Sequence, residues 1–594
     1  MTPFRPAALC VAAVFGASAV ILTVQPAQAQ SIAQMTVVLD ATQAPRKIFH
    51  VQVTMPAIPG AFTFVYPKWI PGYHSSTGPI EDVVNLHVSA NGTALAWRRD
   101  LVDFYAFHTS VPQGANRLSV DFDVVGAPSN TAELSPVTSP NIAILEYSCF
   151  VMYPQGAVAS DLSVEASLKL PDEWDFGTAL PVRARNGANV AFASVPLSML
   201  VDSPIEAGRF FRAFPLGGEH ELDLAADSEA ALAIDSRVLG GLKHLVVEGP
   251  ALYGDKHYRD YHFLLSLSET IEFEGVEHHE SSDNRASEQY VVDPENFRDF
   301  PDLLSHEYSH SWNGKYRRPA DLFVPNYQAP ELTDLLWVYE GLNEYVGQLL
   351  STRARMNVFG DELDSLARAA ASMDYERGRD WRPLQDTADF APLGFFSPAP
   401  YNARRRNAGD FYTEGNLIWL EADVRIRRLS HGSKSLDDFL KLWAAGGSTT
   451  PSVKTYVAAD VVSLLNQVVA YDWAGFFRER VGQVRVRAPL DGITLGGYRL
   501  VFNDTVPRAF ERSESEGEGG HKRTDLRYSL GFTLTSDSGV ILDVLPDSPA
   551  AKAGLAPSMQ ILAVNGRKWS VELLHRAIKS AKGGTAPIQL IVSN

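Results

Sequence analysis

The stretch Asp302–Pro319, "DLLSHEYSHSWNGKYRRP", carries two histidines four residues apart with a carboxylate beside the first. On an α-helix, residues i and i+4 share one face, so His306 and His310 can grip one ion while Glu307 reaches a water next to it. Two imidazoles do not complete a catalytic zinc site, which takes three protein ligands and keeps a position open for water. A third donor has to come from elsewhere in the chain. The helical pattern "DLLWVYEGLNEYVGQLL" (Asp334–Leu350) offers Glu340 and Glu344 on one face, and spacing alone leaves both open. Either one completes a two-histidine, one-glutamate set for a single Zn2+, with a water for the ion to acidify and Glu307 as its base.

The chain has 594 residues, too many for one ordinary core, and the length suggests about three or four domains. Hydrophobic content of 45% and charged content of 21% are those of a folded globular protein. The formal net charge of −18 speaks against nucleic-acid or anionic-membrane binding. At the N-terminus, Arg5, an apolar run to Val24 and the triplet Ala27-Gln28-Ala29 predict a signal peptide over residues 1–29, with the mature chain starting at Gln30. The protein is therefore expected to be exported, periplasmic or secreted. No later segment reaches the roughly 18 apolar residues of a membrane span, so no integral membrane segment is expected after cleavage. Cys10 leaves with the leader, and Cys149, in "IAILEYSCFVMY", is expected as a lone buried strand residue.

From Gln30 to Pro204 apolar and polar residues alternate in short runs such as "KIFHVQVTM", "NRLSVDFDVV" and "DLSVEASLKL", the pattern of an antiparallel β domain. Within it "YPKWIPGYH" (Tyr66–His74) reads as a rigid, irregular loop. Past Pro204, "HLVVEGPALYG" and "YHFLLSLS" read as strands. Helical patterns follow near 300–314, 331–353, 361–376, 412–430 and 434–445, giving a small sheet followed by a mostly helical lobe. Residues 390–410 read as a long loop and 492–503 as short strands. The stretch 511–525 reads as a flexible linker, and 526–594 as a compact unit of its own.

The run "HEYSHSWNGKYRRPADL" with "LWVYEGLNEYVG" resembles the glycyl-aminopeptidase family of zinc metallopeptidases, relatives of the thermolysin-like enzymes. "YPKWIPGYH" and "VDSPIEAG" (201–208) are similar to that family's N-terminal motif and its junction with the catalytic domain, and the resemblance spans most of the mature chain. It implies that the glutamate of the E-G pair, Glu340, is the third ligand. "FEGVEHHES" is similar to the strand that related aminopeptidases lay along the substrate, which implies Gly275 and Glu277 as substrate-binding residues, with Glu277 meeting the free α-ammonium group. "DFYTEGNLIWLEADVRIR" resembles the Y-x-x-G helix whose tyrosine, here Tyr412, stabilises the oxyanion. His278 and His279, adjacent on a strand, are expected to point apart and not to join the ligand set.

The final segments "YSLGFTL", "GVILDVLPDSPAAKAGLAPSMQILAVNGRKW", "VELLHRAIKSA" and "PIQLIVS" resemble a PDZ domain of the bacterial protease type. That resemblance implies a carboxylate-binding loop at Leu530, Gly531 and Phe532 and a groove for a C-terminal peptide; alternatively the unit only packs against the catalytic lobe. The fold expected is a multidomain α+β chain. It comprises an N-terminal β domain (30–204), a thermolysin-like catalytic domain with a mixed sheet and helices (205–490), strands and linker (491–525) and a PDZ domain (526–594). The expected function is an exported aminopeptidase with one Zn2+, releasing N-terminal residues, Gly or Ala by the family's name, from peptide substrates. The rivals are a zinc endopeptidase, and a peptide-binding or chaperone-like protein with a structural metal. Against the last, a structural site has no use for a base beside its ligand.

Overall fold

The computed structural model describes residues 34–126, 136–394, 401–515 and 522–594. The expected signal peptide, and parts of the expected loop at 390–410 and linker at 511–525, lie outside these residues; their described parts hold the short helices Ala391–Gly394 and Asn402–Arg405, the helix Arg508–Ser515 and the strand Arg523–Asp525, where loop and flexible linker were expected. The N-terminal region is β-rich. Its largest sheet holds nine strands, with Gln34–Asp40 at its centre, parallel to Ser163–Lys169 and antiparallel to Ile48–Pro56. Alternation builds it: in Arg117–Val125 the residues Leu118, Val120, Phe122 and Val124 are buried while their neighbours are partly or fully exposed. Cys149 is buried as expected, although it sits in a 3-10 turn, Tyr147–Cys149, and not in a strand.

The middle of the chain builds a five-stranded mixed sheet in the order Phe210–Gly217, His220–Ala226, Tyr261–Leu267, Ser281–Ala286, Glu274–Glu277. Its central strand, "YHFLLSL", is apolar almost throughout because helices and the N-terminal region cover both faces. The last strand, Glu274–Glu277, turns antiparallel and lies at the edge. The helix Leu303–His310 packs on this edge, Gly341–Arg353 packs on that helix, and Asp410–Leu429 packs on Gly341–Arg353.

Two further stretches differ from their expected structure. "HLVVEGPALYG" belongs to the helix Ser236–Tyr253, in which Val238, Leu242, Leu245 and Val246 form one buried face and the Asp235 side chain caps the first turn. The valine pair mimics a strand only when the preceding turn is left out. Residues 492–503 hold most of the short helix Asp491–Leu495 and irregular chain, where strands were expected, because among the described residues no strand pairs with them.

Residues 523–594 hold two three-stranded sheets and the helix Val571–Ala581, around a small core of Phe532, Leu534, Ile541, Ile561 and Leu574. This unit docks on the helical lobe. Tyr528 meets Tyr375 edge-on at 5.0 Å, and Asp543 Oδ2 accepts from the Ala403 backbone N–H at 3.0 Å. Beneath the contact lies Glu376. Burial first, then Asp410 and Asp543, against Arg527, raise its pKa from 4.5 to about 8. The folded chain thus holds a proton that the unfolded chain releases near pH 4.5, so this group's contribution to stability falls as pH rises between 4.5 and about 8. Thermal unfolding between pH 6 and 8 is expected to show stability declining by up to about 1.4 kcal/mol per pH unit, and Glu376→Gln to flatten that slope. An unchanged slope in the variant would assign the dependence to other groups.

Candidate active site

Three donors converge at the edge of the mixed sheet. His306 Nε2 and His310 Nε2 are 3.1 Å apart, and Glu340 Oε2 lies 3.4 Å from the first and 3.2 Å from the second. The remaining imidazole nitrogens are occupied: His310 Nδ1 faces the Asn313 carbonyl at 3.1 Å and the Asn343 side-chain amide at 2.6 Å, and His306 Nδ1 lies 3.4 Å from Glu344 Oε2. Protons held on Nδ1 leave both Nε2 lone pairs facing the same point, which is what a cation requires of them. Burial pushes the Glu340 carboxyl up, but His310, His306 and His74 together hold it well below the usual range, so it remains an anion. These residues fit a metal ion. Glu344, one of the two candidates left open by spacing, sits behind His306 as a partner of its back nitrogen.

The neighbouring sequence explains why the groups meet. Asn313 carries the carbonyl that holds His310, and its side chain donates to the Val338 carbonyl at 2.9 Å and accepts from Trp443 Nε1 at 3.0 Å. The end of the histidine helix is thereby tied to the segment that leads into Glu340. Gly341 and Gly415 face each other: a Cβ on Gly341 would come within 2.7 Å of Gly415 Cα, so only glycines allow this helix crossing. The crossing brings Tyr412 onto His306, with ring centroids 6.2 Å apart and planes at 30°.

Glu307 is buried beside the edge strand, so close that a Cβ on Gly275 would overlap its Oε1. Burial pushes its carboxyl well above the ordinary range, His306 opposes, and Glu277 and Glu340 add to the push. Glu277, at the end of the edge strand, is also buried, and its Oε1 accepts from Tyr339 Oη and lies 3.8 Å from Lys315 Nζ. Burial pushes Glu277 up, and Lys315 and His310 outweigh it, so it stays ionised. A second convergence of possible donors, Glu277, Glu307 and His310, shares this space. Tyr412 is held well above its usual pKa by burial and then by Glu340, Glu277 and Glu307, which keeps the phenol a donor.

His278 and His279 are buried outside the convergence. Burial pushes His279 down to about 3, and its backbone N–H donates to Asp202 at 2.9 Å.

Residues 36–209 match the Peptidase M61 N-terminal domain, and residues 299–418 match M61 glycyl aminopeptidase. The chain belongs to the M61 family of peptidases. As an M61 protein it shares its fold with an aminopeptidase N family protein from Idiomarina loihiensis. That likeness has a TM-score of 0.75 at 19% identity and covers 94% of each chain. It is also similar to an M1 zinc metallopeptidase from Deinococcus radiodurans, with a TM-score of 0.45 at 14% identity over 76% of this chain and 94% of that one. No curated protein matches this M61 sequence. Among the described residues no helix is long and apolar enough to cross a membrane.

Two groups of this M61 site escaped the sequence reading. Lys315 has almost no exposed surface and bridges Asp202, at 3.1 Å, to Glu277. His74 reaches in from the N-terminal region. A lysine eight residues after Glu307 is a signal the sequence does carry, whereas His74 has none beyond its place in a rigid loop.

In the C-terminal unit, the Leu530 and Gly531 amides donate to the Leu526 carbonyl at 3.0 and 2.8 Å, and the Phe532 carbonyl accepts from Leu526 N–H at 2.9 Å. The strand Phe532–Thr535 is flanked by Ile541–Val544 on one edge and by Arg523–Asp525 on the other. The expected carboxylate loop and peptide edge are thus occupied by the chain's own residues 523–526.

Proposed function

We propose that this M61 peptidase is a zinc-dependent aminopeptidase. The observation that carries the reading is the convergence of His306, His310 and Glu340 with Glu307 beside them and the buried Glu277 at the closed end of the edge strand. Zinc bound by the first three would polarise the scissile carbonyl and lower the pKa of the attacking water. Glu307 takes the proton of that water and passes it to the leaving amine, and Tyr412 donates a hydrogen bond to the developing oxyanion. The substrate backbone pairs with the edge strand at Gly275. Its α-ammonium group meets Glu277, whose contacts to Tyr339 and Lys315 both fall on Oε1 and leave Oε2 for the amine.

Closure of the strand's end supports exopeptidase over endopeptidase action. Ile70 and Tyr73 pack on Val276, and a Cβ on Gly72 would stand 3.2 Å from Glu277 Oε2, so little room remains for chain beyond the first residue. The same closure suits small N-terminal residues, Gly, as in the family's description, or Ala. Digestion of a peptide library with and without a chelator tests the reading. Release of single N-terminal residues, abolished by chelation and restored by zinc, is the expected outcome, and internal cuts would favour the endopeptidase.

Glu277 makes a sharper test. A charge-assisted hydrogen bond contributes about 1.5–3 kcal/mol, so Glu277→Ala is expected to lower kcat/KM on free-amine substrates by roughly ten- to a hundredfold. Acetylating the substrate removes the same contact. The variant should therefore discriminate far less between free and blocked peptides, and losses that simply add would remove Glu277 from the amine site.

We also assign export to the leader-like N-terminus, the domain limits to those read from the sequence except that the last unit takes in the strand Arg523–Asp525, and a PDZ-type fold to residues 523–594. A peptide ligand there would have to displace residues 523–526 or bind elsewhere on the unit.

A further inference from the structure

We infer that His74, contributed by the N-terminal β-rich region, is a positioning residue of the metal centre, setting the rotation of the Glu340 carboxylate. The inference rests on the reading of His306, His310 and Glu340 as zinc ligands. His74 is 1% exposed, and its Nε2 lies 2.6 Å from Glu340 Oε1. Glu340 divides its two oxygens: Oε2 faces His306 and His310, and Oε1 faces His74. The partner of Oε1 must be a donor, since an ionised carboxylate only accepts. Among the described residues the buried Nδ1 of His74 has no hydrogen-bond partner, so the proton belongs on Nε2, facing the carboxylate, and the bare lone pair on Nδ1. An N–H fixed on one carboxylate oxygen holds the other toward the two imidazoles, which is the role outer partners play around metal ligands.

The loop that delivers His74 is built to hold it there. Tyr73 Oη donates to Glu146 Oε1 at 2.9 Å, and Glu146 in turn accepts from Arg285, next but one in the chain to Asp283, which pairs with Val276 of the edge strand. One residue past His74, Ser75 Oγ donates to the Pro392 carbonyl at 2.8 Å. The imidazole stands edge-on to Tyr339 at 5.4 Å. His74 itself adopts φ +51°, a left-handed conformation that a histidine takes up only where its surroundings repay the strain. The N-terminal region is then part of the catalytic centre, in contact with its third ligand, as well as a wall beside it.

The test measures zinc affinity of the full chain by competition with a chelator, for the wild type and three variants. His74→Gln places an amide N–H where Nε2 stood. His74→Asn tolerates the left-handed backbone but cannot reach. Ile70→Ala loosens the loop without touching the hydrogen bond. His74→Asn is expected to bind zinc about ten- to a hundredfold more weakly, with His74→Gln and Ile70→Ala within about threefold of wild type on the same scale. Should His74→Asn not fold, His74→Phe keeps the ring and removes the donor, with the same expectation. Wild-type zinc affinity in the donorless variant, or a His74→Gln no better than it, overturns the inference. Loss in Ile70→Ala as large as in His74→Asn does so too, by reducing His74 to loop packing. Glu340→Gln separates the two levels: if it leaves zinc affinity unchanged the proposed centre itself fails, whereas affinity that depends on Glu340 and not on His74 overturns this inference alone.

Discussion

Glu307→Gln is expected to reduce peptide hydrolysis by about a hundred- to ten-thousandfold, the usual contribution of a positioned acid–base group, while zinc content stays near one per chain. The substitution is nearly isosteric, so the close contact between this side chain and Gly275 survives, and so do the helix and its two histidines. What is lost is the ability to take a proton from water and return it to the leaving amine. Since Glu307 is placed outside the ligand set, its amide should leave metal affinity untouched, and kcat should fall with little change in the binding of a competitive inhibitor. Glu340→Gln should behave in the opposite way, releasing zinc because its carboxylate faces both imidazoles at 3.2–3.4 Å. Assaying zinc and turnover in both variants decides the roles. A Glu307 variant that loses zinc beside a Glu340 variant that keeps it would exchange the two assignments and remove the mechanism proposed above.

The E-G dipeptide was legible only through the family resemblance, and the histidine pair because local spacing fixes which side chains share a helical face. The alternating runs of the N-terminal region were legible for the same reason, with period two in place of 3.6. What the sequence hid depends on chain that meets across long separations. His74 and Glu340 are 266 residues apart, and no periodicity links a loop histidine to a glutamate in another region. Glu344 looked equivalent to Glu340 by spacing, and only the placement of His306 between them gives one the inner face and the other the outer. The burial of Glu277 was hidden as well, since it is created by the loop around Gly72 and by Lys315. The valine-rich "HLVVEGPALYG" failed for a different reason: its apolar face is completed by Val238 and Leu242, outside the stretch that looked like a strand. Likewise, the resemblance at Leu530–Phe532 carries the loop's shape but cannot reveal that Leu526 already accepts two of its N–H groups.

Tyr412→Phe is expected to lower kcat about a hundred- to a thousandfold, corresponding to roughly 2.7–4 kcal/mol for one oxyanion donor, with KM for a free-amine dipeptide nearly unchanged. The ring is fixed by its neighbours: it stacks near His306, and its helix cannot shift toward or away from Glu340 without breaking the Gly341–Gly415 contact. Phenylalanine retains all of that packing, so zinc content and thermal stability should hold within error, and the loss should fall on the transition state. The phenol is suited to this task because burial and the surrounding carboxylates Glu340, Glu277 and Glu307 disfavour its ionised form, which keeps the O–H available as a donor through neutral pH. A ground-state carbonyl gains little from it, whereas the charge developing on that oxygen gains much, which is why kcat and not KM should carry the effect. A transition-state analogue bearing a tetrahedral oxyanion should weaken by the same factor as kcat/KM. If Tyr412→Phe instead raises KM alone, or weakens the analogue and an ordinary product equally, Tyr412 packs against substrate without stabilising the oxyanion, and another donor near the centre has to be sought.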